Sequence, residues 1–220
     1  MDSKRGKIKN LQTLKYEQLP NPQRIRKAVD ALRGHGVTVL SLEQKESALA
    51  QLQEMIQPGA SVMTGASVTL EQIGLIDCLM SGEHPWKYLK SEILKETDPE
   101  KRIILRRQAT QADYYIGSVQ AITEDGEIVI ASATGSQIPG YAYTSRNVIW
   151  VVGAQKIVRN LEEGIRRVKE YAYSRENLHM KQLYGPQSGS LIGKILIFDQ
   201  ESPLAQRNIY LLLVNEVLGF

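Results

Sequence analysis

Short runs of β-forming residues, separated by small polar loops, fill residues 112–158 and are the feature that most restricts how this chain can fold. The runs, among them Ile128–Ser132 and Asn147–Val152, are rich in Ile and Val, which favour strands. The loops combine Gly with Ser, Thr, Asp or Lys, whose side chains can hold an anion or a carbonyl group. A sheet that presents such loops one after another is a scaffold for a small-molecule site.

A β-α-β unit precedes this region, because helix and strand signals alternate from residue 21 to residue 64. In order, the elements are a helix opened by Asn21-Pro22, a strand at Val37–Leu40, a helix capped by Ser41 with Gln44, and a strand at Ser61–Thr64. Such a unit implies parallel pairing of its strands with a right-handed crossover. The alternation predicts a mainly parallel sheet covered by helices.

The remaining signals complete the α/β pattern. A capping box of Thr69 with Gln72 predicts a helix to about Ser81, and residues 82–97 then read as irregular chain. Further helices are predicted from Asp98-Pro99 and from Asn160, and two last strands at Lys194–Phe198 and Asn208–Val214. We predict one three-layer α/β/α domain over residues 21–220, with a small antiparallel β patch, after an amino-terminal extension at residues 1–20.

Composition argues against several classes of function. The net charge is only +3, and no sustained basic face with exposed aromatic residues suggests nucleic-acid binding. The single cysteine, Cys78, excludes a disulfide within the chain, and three dispersed histidines offer no metal-ligand spacing. No apolar run approaches the roughly 18 residues of a membrane span, and the charged start lacks the apolar stretch of a secretory signal. We therefore expect a cytoplasmic protein with no metal or cofactor of its own.

The loop after the strand Ser61–Thr64 is the first candidate ligand site. Its glycine lets the backbone approach a ligand closely, and the following helix start presents unpaired N–H groups and a partial positive charge. Two hydroxyls complete a set suited to a phosphate or carboxylate. The alternative is that they only cap the helix and fill the turn. The candidate binding residues here are Thr64, Gly65, Ala66, Ser67 and Thr69.

A second loop carries three acidic residues, Glu124, Asp125 and Glu127, around an Asp-Gly pair. An Asp-Gly pair between two apolar runs is first of all a hairpin turn. These carboxylates are also candidates for a catalytic base or nucleophile, if they face a ligand. The sequence leaves both interpretations open.

Two more loops follow apolar strands. Thr134, Gly135 and Ser136 offer N–H groups and hydroxyls, and Lys156 either holds an anion or is an ordinary surface lysine. Strand ends of one polarity lie along one edge of a parallel sheet. We therefore expect Lys156 and Thr134-Gly135 to converge on one pocket with Ser67, and Asp125 to join them unless its hairpin carries it away.

The ordered set of motifs resembles the LUD (lactate-utilisation) domain in its LutC/YkgG-like branch. The resemblance covers roughly residues 20–220 and rests on Ser67–Gly74, Ala121–Val129, Thr134-Gly135, Val151–Val158 and Arg207–Phe220. It implies a fold similar to the NagB/RpiA/CoA-transferase-like group, in which loops at strand ends hold phosphorylated or CoA-linked ligands. The family is linked to oxidation of L-lactate to pyruvate alongside iron–sulfur partner proteins.

The chain departs from this family pattern at several positions. Gln72 stands where members often have Glu, and Gln120 and Ser136 stand where they often have Asn. Several members carry a cysteine cluster before the final strands, whereas residues 181–198 here contain no cysteine. An iron–sulfur cluster needs thiolates, so this chain is expected to hold none.

Three functions remain open from the sequence. The first is an accessory subunit of a lactate-utilisation system that binds a small anionic, phosphorylated or CoA-like ligand and iron–sulfur partner proteins, in a possible homo-oligomer. The second is an isomerase or acyl/CoA-transfer enzyme that uses a carboxylate of the 124–127 loop. The third is a ligand-sensing regulatory domain.

Overall fold

A parallel six-stranded sheet forms the centre of the computed structural model, which describes residues 15–220. The strands are β1 (Val37–Leu42), β2 (Ser61–Thr64), β3 (Lys87–Tyr88), β4 (Tyr114–Gly117), β5 (Ala121–Thr123), β6 (Ile128–Ser132), β7 (Asn147–Gly153), β8 (Ile157–Val158), β9 (Lys194–Phe198) and β10 (Asn208–Val214). The α-helices are α1 (Pro22–Gly34), α2 (Glu46–Met55), α3 (Val68–Gln72), α4 (Leu75–Ser81), α5 (Leu89–Lys95), α6 (Pro99–Gln108), α7 (Leu161–Arg167) and α8 (Tyr173–Tyr184). The predicted α/β class is confirmed.

The central sheet has the strand order β1-β10-β7-β4-β2-β3, and all its adjacent pairs are parallel. Strand β7 is apolar along most of its length because both faces of the sheet are covered. Its alternate residues enter different cores, with Trp150 and Val152 on one face and Ile149 and Val151 on the other. The carboxyl ends of β2, β4 and β7 therefore lie together at one edge of the sheet.

A smaller mixed sheet has the order β8-β5-β6-β9. Strands β5 and β6 form the predicted hairpin, and the N–H of Thr123 donates to the carbonyl of Glu127 at 2.9 Å across its turn. Gly126 adopts a φ of +99°, a conformation that glycine tolerates better than other residues. The predicted antiparallel patch is confirmed in β5, β6 and β9, whereas β8 pairs with β5 in parallel.

The predicted pairing within the first β-α-β unit is wrong. Strands β1 and β2 share the central sheet but are separated by β10, β7 and β4. Ser41 does not cap α2, because it lies inside β1 opposite Leu213 of β10. The longer pairing with β10 extends β1 to Leu42, so α2 begins only at Glu46, after Lys45, which makes no side-chain cap.

The helix predicted from a Thr69 cap to Ser81 is two short helices. Ser67 is the residue that caps α3, and Gly74, with a φ of +77°, separates α3 from α4. Thr69 is buried inside α3, and its hydroxyl accepts a hydrogen bond from Lys156 Nζ instead of capping the helix. The stretch predicted as irregular, residues 82–97, contains the short strand β3 and helix α5.

The helix predicted from Asn160 is longer than its apolar pattern indicates. The Asn160 side chain accepts a hydrogen bond of 3.0 Å from the Glu163 N–H, as expected of a cap. Helix α7 then continues through a π-helical segment, Val168–Ala172, into α8. Among residues 15–220, none of the helices is both long enough and apolar enough to span a bilayer.

Candidate functional site

A cavity of about 330 Å³ lies at the carboxyl ends of β2 and β4, and we call it the strand-end cavity. The loop Thr64–Thr69 forms one wall, and residues from the segment Ala131–Gln137 form another. Lys156 lines it from the turn after β7, and α8 closes it with Glu176. A concave space of this size, at the carboxyl edge of a parallel sheet, is suited to a small molecule.

The loop after β2 brings hydroxyl groups to the cavity. The hydroxyls of Thr64 and Tyr88 share a hydrogen bond of 2.8 Å. A Cβ atom at position 65 would lie 3.1 Å from the Tyr141 hydroxyl oxygen, so Gly65 lets that phenol approach the loop. Because α3 has only five residues, the loop offers the cavity hydroxyls rather than a strong helix dipole.

Lys156 is the most unusual group in the cavity wall. Apolar strand β7 leads into a 3₁₀ turn, Ala154–Lys156, that buries the lysine side chain, leaving 1% of the residue exposed. Its Nζ donates hydrogen bonds to Thr69 Oγ1 at 3.1 Å and to Ser118 Oγ at 3.0 Å. Burial lowers the pKa of Lys156 well below its ordinary value, and the nearby charge of Arg167 lowers it further.

Arg167 is a second cation buried close to this site. The residue is fully buried on α7, and its guanidinium lies over the rings of Tyr16 and Tyr171. Its Nη1 donates to the backbone carbonyl of Gln120. Burial lowers the pKa of Arg167 to about 10, so the group keeps its charge at neutral pH. This charge opposes protonation of Lys156.

Two further cations line the strand-end cavity from α5 and α6. They are Lys90 and Arg106. Burial lowers the pKa of Lys90, the charge of Glu71 partly offsets that effect, and the charge of Arg106 lowers it again. Within residues 15–220, none of Lys90, Arg106 and Lys156 forms an ion pair with a carboxylate. The cavity wall therefore carries positive charge that the described part of the chain leaves unneutralised.

Glu176 is the acidic side chain on the cavity wall, as far as residues 15–220 are concerned. Burial raises the pKa of Glu176, the charge of His179 lowers it, and the negative charge of Glu71 raises it. A carboxyl group whose pKa is raised in this way can exchange a proton nearer to neutral pH than an exposed glutamate can.

Two tyrosines form the apolar part of the wall. The rings of Tyr115 and Tyr141 pack edge to face, with their centroids 5.1 Å apart. A Cβ atom at position 117 would overlap the hydroxyl oxygen of Tyr141, so Gly117 at the end of β4 is what admits this group. Burial raises the pKa of Tyr141 well above its ordinary value, which keeps the phenol protonated and able to donate a hydrogen bond.

The loop after β6 forms the second polar wall. Ser132 Oγ accepts a hydrogen bond of 2.9 Å from the Gly135 N–H and donates one of 2.8 Å to Gln137 Oε1. Thr134 Oγ1 donates to Ser136 Oγ at 3.1 Å. These bonds hold the loop in a tight turn in which Gly135 has a φ of +84°. Thr134 and Ser136 both line the cavity, whereas Gly135 packs against the Lys194 side chain.

The acidic loop lies elsewhere. Glu124 and Asp125 form ion pairs with α1, through Arg24 Nε at 2.5 Å and Lys27 Nζ at 2.8 Å respectively. Glu127 accepts a hydrogen bond from the Thr123 hydroxyl. None of the three carboxylates lines the strand-end cavity. The hairpin turn explains this placement, because it projects the loop towards α1.

Most of the other candidate binding residues do converge. The residues brought to the cavity are Thr64, Gly65, Ala66, Ser67, Thr69, Thr134, Ser136 and Lys156. Several lining residues are not among the site residues predicted from the sequence, and those used below are Lys90, Arg106, Ser118, Tyr141 and Glu176. Only Ser118, just past a predicted strand, carries a sequence signal that could have identified it.

The departures from the family pattern have structural roles. Gln72 Oε1 accepts a 2.7 Å hydrogen bond from the Gly219 N–H and so ties α3 to the carboxyl-terminal segment. Gln120 Oε1 accepts one of 2.8 Å from the Ala131 N–H, within the small sheet.

In the part of the chain from residue 15 onwards, no three His, Cys, Asp or Glu side chains are grouped so that they could hold a metal ion.

Comparisons with known proteins agree with this architecture. The model of the LUD domain family matches residues 25–204. The crystal structure of a DUF162 family protein from Deinococcus radiodurans, at 1.70 Å resolution, is similar with a TM-score of 0.55 and 11% sequence identity. The similarity covers 90% of this chain and 100% of that one, and at this identity it concerns the fold. None of the curated proteins matches the chain.

Proposed function

The chain belongs to the LUD domain family, and we propose that it acts there as an accessory subunit that binds a small anion in the strand-end cavity. The family resemblance links such a subunit to a lactate-utilisation system in which L-lactate is oxidised to pyruvate. In this proposal the iron–sulfur chemistry belongs to partner proteins. The supporting observation for this division of roles is that residues 181–198 contain no cysteine.

The charge balance of the cavity wall is the observation that carries the proposal. Lys90, Arg106 and Lys156 face the same space as Glu176, so three basic groups meet one acid whose pKa is raised. Cations in a half-buried space repel one another, as the effect of Arg106 on Lys90 illustrates. A bound anion would relieve this repulsion, and its binding is favoured for that reason.

The hydroxyls of the cavity fit the same class of ligand. Thr64, Ser67 and Thr69 come from one wall, and Thr134 and Ser136 come from the other. Hydroxyls donate to carboxylate or phosphate oxygens and accept from a hydroxyl on the ligand. A 2-hydroxy acid or a small sugar phosphate presents both kinds of atom, and a 2-oxo acid presents acceptor oxygens alone; each of these ligand classes is small enough for a space of about 330 Å³.

Calorimetric titration of the full chain with L-lactate, pyruvate, inorganic phosphate and ribose 5-phosphate tests the proposal. We expect at least one of these anions to bind, and we expect Arg106→Gln to weaken its affinity by about tenfold, the effect of losing roughly 1.4 kcal/mol of charge-assisted bonding. Arg107→Gln is the matched control, because Arg106 and Arg107 are both exposed on the same helix and only Arg106 lines the cavity. Equal affinity in both variants, or no binding of any of the four anions, contradicts the proposal.

A further inference from the structure

Lys156 combines features that a lysine serving only as an anion holder does not need. Its side chain is buried, it reaches the cavity, and its hydrogen-bond partners among residues 15–220 are two neutral hydroxyls. An anion-binding lysine is usually placed where water or a carboxylate keeps its ammonium group charged. Here the surroundings favour the uncharged amine, whose lone pair is a nucleophile.

We propose that Lys156 forms a reversible imine with a small carbonyl compound that also carries an anionic group. This inference rests on the proposed function, because the anionic group is what the other cations of the strand-end cavity would hold. Lysine amines that are desolvated, or that lie beside another cation, are the ones that proteins use for such bonds. Lys156 satisfies the first condition through its burial, and the charge of Arg167, which also lowers its pKa, acts in the same direction as the second.

The groups around Lys156 disfavour its protonation by geometry as well as by burial. Thr69 and Ser118 contribute hydroxyls, Arg167 contributes a positive charge, and the two cations Lys90 and Arg106 share the cavity. Glu176 is the acid on the cavity wall, and no ion pair joins it to Lys156 within residues 15–220. Protonation of Lys156 would thus add a further positive charge to a space that already holds several.

The covalent step balances without an oxidant, a reductant or a metal. The lone pair of the uncharged Nζ attacks the carbonyl carbon, and the carbon–oxygen double bond becomes a single bond to an alkoxide. Two protons that leave the nitrogen, relayed by the hydroxyls of Ser118 and Thr69, reach this oxygen. The oxygen departs as water, and a carbon–nitrogen double bond replaces the two carbon–nitrogen and carbon–oxygen single bonds.

The remaining cavity groups select which carbonyl compounds react. Lys90 and Arg106 attract a carboxylate or phosphate, and the phenol of Tyr141 can donate a hydrogen bond to the alkoxide of the intermediate. Exposed lysines such as Lys101 lie in water and do not line the cavity, so these groups cannot direct a carbonyl compound to them. The buried amine of Lys156 and the cations Lys90 and Arg106 thus line the same cavity.

Reductive trapping tests the proposal directly. The full chain is incubated with cyanoborohydride and either pyruvate, a ketone with a carboxylate, or dihydroxyacetone phosphate, a ketone with a phosphate. We expect one adduct per chain with at least one probe, heavier by the carbonyl compound less one oxygen atom, and peptide mapping should locate it at Lys156. The probe that reacts faster identifies the anionic group. L-Lactate, which has no ketone, should give no adduct.

Variants and binding measurements separate this inference from the proposed function. Lys156→Met should remove the adduct, and Lys101→Met should retain it. If Lys156→Met does not fold, the peptide map of the wild-type chain after trapping still shows whether the adduct is at Lys156. An adduct at Lys90, adducts spread over exposed lysines, or no adduct overturns the imine. Calorimetric binding of pyruvate without an adduct would leave anion binding intact. If an adduct forms at Lys156 and neither added phosphate nor Arg106→Gln slows its formation, the imine is supported and the proposed anion site is contradicted.

Discussion

The Nζ atom of Lys156 lies 3.0 Å from the Oγ atom of Ser118. Ser118 follows β4 and Lys156 follows β7, and these strands are neighbours in the central sheet. The same nitrogen reaches Thr69, beyond the loop that follows β2. One amine thus joins three segments that are far apart in sequence. Because this amine lines the strand-end cavity, its charge state changes the electrostatic potential there.

The hydroxyls of the first loop should be needed for anion binding. We expect Ser67→Ala with Thr69→Ala to abolish the thermal stabilisation that phosphate or another bound anion gives, because two oxygens leave the cavity wall and Lys156 loses one of its two hydroxyl partners. Thermal unfolding with and without the anion measures the effect. Ser174→Ala, in an exposed residue on α8, is the control. Undiminished stabilisation of the double variant would show that the anion binds elsewhere.

The two kinds of carboxylate should respond differently to neutralisation. Glu176→Gln should strengthen anion binding several-fold, because it removes a negative charge from the cavity wall. Asp125→Asn should leave the affinity unchanged and lower the stability only slightly, since its ion pair with Lys27 is exposed. Calorimetry and urea unfolding measure the two quantities. A loss of affinity in Asp125→Asn would restore the acidic loop as part of the site.

Gly117 should be intolerant of a side chain. Alanine there would place a Cβ against the Tyr141 hydroxyl, so we expect a loss of about 1–3 kcal/mol in the free energy of unfolding, as overpacking usually gives, together with weaker anion binding. Gly34→Ala is the control, because no atom lies within 4 Å of a Cβ at that position near the end of α1. Unfolding in urea should separate the two variants; equal stability would mean that Tyr141 moves aside at no cost.

The sequence predicts the elements of this fold better than it predicts their neighbours. Strands β2, β9 and β10 have the predicted bounds because each is a short apolar run bounded by turn or polar residues. The insertion of β10 beside β1 depends on contacts across more than 150 residues, and local patterns contain no information on such pairing. Ser41 is an example: its position in the sequence predicts a helix cap, but pairing of β1 with the distant β10 places it in a strand instead.

The sequence likewise predicts some residues of the candidate site and not others. Loops that leave strands were recognisable, because in a parallel sheet strand polarity alone determines which edge they occupy. Lys90, Arg106 and Glu176 were not, because they lie on helices whose orientation over the cavity is decided by tertiary packing. Gly117 carried no signal either, because its requirement comes from Tyr141, 24 residues away along the printed sequence.

The buried amine should leave a signature in the pH dependence of stability. In the folded chain the pKa of Lys156 lies well below its ordinary value, whereas in the unfolded chain it is near 10.4. Between these two values the unfolded state binds more protons, so the free energy of unfolding should rise with pH across that window. Below the folded pKa the burial penalty is fully present, and above about 10.4 it is fully relieved.

Lys156→Met isolates this effect, because methionine has a similar length and no titrating group. The wild-type free energy of unfolding, measured in urea from pH 6 to pH 9.5, should rise relative to that of Lys156→Met, since all other titrating groups are common to both chains. Lys101→Met is the control for the loss of a lysine, because Lys101 is exposed and does not line the cavity. A constant difference for Lys156→Met across this range would contradict the prediction, because it would mean that the amine stays protonated when buried.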